Sequence, residues 1–127
     1  MTFSTAAQHR AMPLFLALTF ALAPAPALAA GAFAIGKCGA YGQAHDYAGE
    51  TEARAAALKQ CKGDCPTTVT MKRACAALSV DMTNPCGPHG YAVKSRILSS
   101  LNAATRKCHE FGGKECVIRA WACDARG

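Results

Sequence analysis

Aromatic residues are scarce in this 127-residue chain: tryptophan occurs once, tyrosine three times and phenylalanine five times. Acidic side chains are also few, eight against fourteen lysines and arginines. With so few aromatics, the chain has no ladder of rings on which single-stranded bases would stack. The basic residues are scattered, with no block of five or more, so no basic arm is formed. Nucleic acid is therefore not an expected partner. H-E-x-x-H, the P-loop, the dinucleotide fingerprint and the G-x-S-x-G elbow are all missing, and with them the common hydrolase and nucleotide chemistries. There is also no C-x-x-C pair of the thioredoxin type or of a zinc knuckle.

The N-terminus carries an export signal. His9 and Arg10 form a weakly basic start, Ala11 to Ala23 is apolar, and Pro24 and Pro26 end any helix there. Ala27-Leu28-Ala29 has the small-x-small form of a cleavage site. A spanning helix needs ~20 apolar residues, more than this run supplies. Residues 1–29 are thus predicted to be a signal peptide, with no transmembrane anchor after processing. The mature protein begins at Ala30 or Gly31, in the periplasm or outside the cell.

Residues 30–127 make one small domain, rich in alanine and poor in large aliphatic side chains. A core of that kind is marginal unless it is cross-linked. All eight cysteines follow the cleavage site: Cys38, Cys61, Cys65, Cys75, Cys86, Cys108, Cys116 and Cys123. An even count, high density and an export signal read as a disulfide framework. Cys61-x3-Cys65 with His45, His89 or His109 is the rival metal reading. An exported chain meets oxidants first, so neither metal nor cofactor is expected.

The chain repeats itself. Ala56–Cys61 (AALKQC) lines up with Ala103–Cys108 (AATRKC), and Val69–Cys75 with Val117–Cys123. Upstream, Ala40-Tyr41-Gly42 matches Gly90-Tyr91-Ala92, and Ala32–Ile35 corresponds to Ala76–Ser79. The repeats run over about residues 32–73 and 75–123. Repeat symmetry points to Cys61–Cys65, Cys108–Cys116, Cys75–Cys123 and Cys38–Cys86, among roughly a hundred possible pairings.

Each repeat reads as strand, strand, helix, strand. Strands are expected over 32–37, 40–46, 67–73, 75–80, 89–95 and 116–123. Helix 50–62 has Glu50 and Glu52 in its first turn and lysines at its end, as the helix dipole favours. Ser99 is expected to cap the second helix, with Leu101, Ala104, Cys108 and Phe111 on one buried face. The fold class is α+β: a duplicated strand-strand-helix-strand unit, with one antiparallel sheet and both helices on one face. Phe33, Tyr41, Tyr91, Phe111 and Trp121 are expected mainly in the core.

Several motifs resemble a large bacterial family of small exported proteins with a duplicated domain of unknown function. They are Gly39-Ala40-Tyr41-Gly42, Ala53-x2-Ala56-Ala57-Leu58-x2-Cys61, Cys75-Ala76-Ala77-Leu78, Gly90-Tyr91, Ala103-Ala104-x3-Cys108 and Val117-x5-Cys123. The resemblance covers nearly all of the mature chain and implies the fold and the location. It implies no activity and no catalytic residue. The sequence departs from it at Gln43-Ala44-His45 and Ala92-Val93-Lys94, where the family's hairpins carry more glycine and tryptophan. Cys38 and Cys86 are additions.

For chemistry the sequence offers little. His45 and Asp46 adjoin, but strand neighbours point to opposite faces. His89 reads as a loop residue and His109 as a solvent-facing helix residue. Tyr41 and Tyr91, at matching positions beside glycines, are candidates for a binding surface, with His45 and His89 as further candidates. The expected function is a non-catalytic binding or interaction module, partnered by an extracytoplasmic protein or an anionic envelope polymer. The alternatives are a secreted effector or immunity-type inhibitor, and a small hydrolase or redox enzyme.

Overall fold

In a computed structural model of the protein, Ala21 and residues 30–124 are described. The predicted signal segment, Ala21 apart, lies outside them. The elements run β1 (Ala30–Ile35), β2 (Tyr41–Tyr47), α1 (Glu50–Gln60), β3 (Thr67–Met71), β4 (Cys75–Asp81), β5 (His89–Lys94), α2 (Ile97–Glu110) and β6 (Cys116–Cys123). A short turn, Lys37–Gly39, joins β1 to β2.

The strands form two antiparallel three-stranded sheets, ordered β2-β1-β3 and β5-β4-β6. The α+β, disulfide-stabilised reading holds. The single sheet with both helices on one face does not, and the reason lies in the central strands. β1 and β4 are buried along their whole length. One face of each carries large side chains: Phe33 and Ile35 on β1, Leu78 and Val80 on β4. These meet in one cluster with Met71, Ala76, Ala120 and Ala122. The opposite faces carry alanines. Ala32 and Ala34 pack on Ala53 and Ala57 of α1, and Ala77 packs with Ala103 and Ala104 of α2. A strand apolar on both faces needs a cover on each. Sheet covers sheet on the inside and a helix covers each sheet outside, giving four layers.

The alanine faces let the helices approach closely. A Cβ on Gly42 would overlap the carbonyl of Ala57, and one on Gly90 the carbonyl of Ala104. Gly42 stands opposite Ala34 and Gly90 opposite Ser79. These glycines, one in each half, are therefore the matching positions. Tyr41 precedes its glycine and Tyr91 follows its own, so the tyrosines do not match. Nor do the valines: Val69 pairs with Phe33, whereas Val117 pairs with Val80. On β4 it is Ala77–Val80, not Ala76–Ser79, that repeats the alternation of Ala32–Ile35. A one-residue slip in a strand exchanges its faces, which is why short alanine-rich matches mislead.

Other local expectations also change. α2 starts at Ile97 after Arg96, so Ser99 lies within the helix and caps nothing. Its neighbour Ser100 is the buried one. The Ser100 hydroxyl donates to the Cys75 carbonyl at 2.6 Å and accepts the Lys94 N–H at 3.1 Å. Phe111 and Trp121 are 69% and 54% exposed, outside the core. Of the five aromatics, Phe33 alone is fully buried, while Tyr41 and Tyr91 flank the inter-sheet core half-buried.

Four disulfides join Cys38 to Cys86, Cys61 to Cys65, Cys75 to Cys123 and Cys108 to Cys116. Cys61–Cys65 lies within the first half; Cys75–Cys123 and Cys108–Cys116 lie within the second. Cys38–Cys86 alone ties the two halves together. No helix among the described residues is long and apolar enough to cross a membrane.

Candidate functional site

A cleft of about 370 Å³ opens where the two sheets meet beside the end of α1. It is lined by residues 39–43 together with Gln60, Lys62 and Arg119. Three local features build it. The first is the turn before β2, where Cys38 and Gly39 both take positive φ, 58° and 76°. That conformation suits glycine and is unusual for cysteine. At Cys38 it is secured by the disulfide to Cys86.

The second feature is the C-terminal end of α1. The helix stops at Cys61, whose N–H still reaches the Ala57 carbonyl. Its bond to Cys65 turns the chain sharply towards β3. Gln60 and Lys62, on either side of Cys61, are left at the mouth of the cleft.

The third is a bulge in β6. Leu78 pairs with Ala120 and Ser79 with Ile118, so Arg119 is the extra residue between them. A bulge interrupts the alternation of faces and re-aims the side chain it carries. Arg119 thereby reaches across to the other sheet, its guanidinium carbon 5.5 Å from the ring centroid of Tyr41. Its Nε–H donates to the Gly39 carbonyl at 3.4 Å. Tyr41 is itself braced by Phe33, with ring centroids 5.9 Å apart and planes 8° from parallel. The arginine is thus held by a ring and by a carbonyl. Among the described residues its two terminal nitrogens have no acceptor and no carboxylate partner.

Of the residues singled out from sequence, Tyr41 alone lines this cleft. Tyr91 lines a second, smaller one of about 210 Å³ with Lys107, Glu110 and Phe111, and the Lys107 ammonium lies 6.0 Å from its ring centroid. His45 is exposed on β2, where a second bulge sets His45 and Asp46 opposite Gly31. The Asp46 backbone has φ 63°, and its N–H donates to the Asp124 carboxylate at 3.1 Å. His89 is exposed at the start of β5, with Nδ1 3.3 Å from the Gly87 carbonyl. The four candidates do not form one surface. No group of three or more His, Cys, Asp or Glu side chains converges among the described residues as ligands to a metal would.

Sequence reasoning missed Arg119, Gln43, Gln60 and Lys62. Nothing in their local sequence separates them from other surface polar residues, since the bulge and the meeting of the sheets are tertiary facts.

A separate polar centre fixes the loops of the second half. The Asp81 carboxylate, buried at the end of β4, accepts four hydrogen bonds. Two come from the N–H and hydroxyl of Thr83, at 2.9 and 2.7 Å. The others come from the N–H groups of Lys114 and Glu115, at 3.1 and 3.2 Å. The Thr83 bonds, with those from Lys114 and Glu115, outweigh desolvation and lower its pKa from 3.8 to about 2. All four donors are spent on the loops, so Asp81 is a structural clamp.

Residues 30–123 match the domain of unknown function DUF4189, and the chain belongs to that family. Among solved structures it is similar to the NMR structure of Rv1813c from Mycobacterium tuberculosis, over 97% of this chain and 99% of that one. The TM-score is 0.55 and the identity 20%, a likeness of fold. No curated protein matches the sequence.

Proposed function

We propose that this protein is an exported, non-catalytic binding module of the periplasm or extracellular space, and that it engages an anionic envelope polymer through the Arg119 cleft. The observation that carries this reading is the free end of Arg119, a cation held by Tyr41 and Gly39 whose outward nitrogens have no partner among the described residues. Lys62 on the same cleft acts in the same direction, as does the net charge, +6 for the full chain and +5 once Arg10 leaves with residues 1–29. Four disulfides suit an oxidising compartment. With every cysteine paired, no thiol is left for redox or nucleophilic chemistry.

Co-sedimentation of the oxidised protein with isolated cell-envelope polysaccharide tests the reading. Binding at low salt, weakened at high salt and by Arg119→Ala, is the expected result. Salt-independent retention, retention unaffected by Arg119→Ala, or cleavage of the polymer would overturn it. The intact mass of the exported form checks the loss of residues 1–29.

A further inference from the structure

The shape of the cleft narrows the ligand further than its charge does. Nε of Arg119 is taken by the Gly39 carbonyl. What remains is the end-on pair of terminal amino groups, two roughly parallel N–H donors in one plane. That fork matches the two coplanar oxygens of a carboxylate. It is also pre-organised, because Tyr41 and Gly39 have already restricted the long side chain.

The same fork also fits phosphate, but a phosphate site commonly adds backbone N–H groups and the positive end of a helix. Here three of the amides around the turn are already spent. Gly36 N–H donates to the Ala40 carbonyl, Lys37 N–H to Asp64, and Ala40 N–H back to Lys37. The helix end at the cleft is the C-terminus of α1, where the dipole is negative and the last carbonyls lack intrahelical partners. That end disfavours a dianion more than a monoanion, and its free carbonyls can accept hydrogen bonds from hydroxyls. The carboxamides of Gln43 and Gln60, in the same cleft, offer both donors and acceptors.

Resting on the binding-module reading above, we propose that the cleft selects a carboxylate-bearing saccharide. The carboxylate is seated on the terminal nitrogens of Arg119, and the neighbouring hydroxyls lie against Gln43, Gln60 and the end of α1. Arg119 is then the residue that sets specificity, with Tyr41 and Gly39 as positioning groups.

The test is an NMR titration of the oxidised protein, reading the Arg119 side-chain N–H signals and the amides of Gly39–Gln43. The probes are a galacturonic acid trimer and N-acetylmuramic acid, each beside its neutral methyl ester, and inorganic phosphate. The acid forms are expected to shift these signals, and the esters and phosphate to bind about tenfold more weakly or not at all. Arg119→Lys keeps the charge and removes the fork, so it should lose about tenfold in affinity for the acids. Its sedimentation with the envelope polymer should weaken in parallel, and its amide spectrum away from the cleft should match the parent. Equal binding of acid and ester, tighter binding of phosphate, an indifferent Arg119→Lys, or silence from both acids overturns the carboxylate inference. If polymer still binds at the cleft in those cases, the binding module stands; if polymer fails as well, both fall.

Discussion

Arg119 of β6 covers the ring of Tyr41 on β2, at 5.5 Å, and so joins the edge strand of one sheet to that of the other. A half-exposed cation–π contact of this kind contributes about 0.5–1 kcal/mol. A double-mutant cycle of Arg119→Ala and Tyr41→Leu, read by denaturant unfolding, should return a coupling energy of about that size. Strict additivity would mean that the two side chains do not hold each other.

The Cys38–Cys86 bond spans 48 residues of sequence and is the covalent tie between the halves. A paired Cys38→Ser/Cys86→Ser variant should lose about 2–4 kcal/mol of stability, since the bond restricts the unfolded chain. The turn bearing the Gly39 carbonyl should loosen as well, so Arg119 should lose its anchor. Matching guanidinium-chloride midpoints for variant and parent would contradict this.

Gly42 and Gly90 are places where the backbone of a helix touches that of a strand. Gly42→Ala or Gly90→Ala must push the helix off its sheet, because the obstacle is a main-chain carbonyl. Gly112, at φ 99° with open space around it, supplies the comparison. Gly112→Ala should cost about 1 kcal/mol from backbone strain alone. Each of the first two changes should lower the melting temperature further than Gly112→Ala does. Equal effects at the three positions would argue against close helix–sheet contact.

Acid should weaken the protein through Asp81. Its folded pKa is depressed from 3.8 to about 2 by its hydrogen bonds, so the contribution is fully present above pH ~4. It is then lost progressively as the pH falls towards 2. The stability gap between the parent and Asp81→Asn should therefore be constant at neutral pH and close between about pH 4 and pH 2. A gap that persists unchanged at pH 2 would assign the effect of the variant to packing instead.

Much of the architecture was legible along the chain because its causes are local. Helix α1 follows from an alanine run with acids first and lysines last. β3 follows from the β-branched residues of Thr67–Met71, and the disulfide framework from an even count of eight cysteines in a small chain. Even the pairing that repeat symmetry suggests is the pairing found. What failed were inferences about faces. A short match such as Gly-Tyr against Tyr-Gly leaves the register open by two residues. Alanines on β1 and β4 are compatible with one sheet or two, since alanine is small enough to face a helix or another sheet.

The sequence by itself determined the composition of the layers: small residues where helix meets sheet, the few large ones in line on β1 and β4, and cysteines spaced to cross-link a thin core. Tertiary structure alone decided that Phe33, Ile35, Leu78 and Val80 face one another between two sheets. It also decided that one extra residue in β6 turns Arg119 towards Tyr41. The physical reason is that a strand's periodicity fixes which side chains share a face but not what covers that face. A bulge, set by pairing between strands distant in the chain, changes the aim of a side chain without leaving a mark in its neighbours.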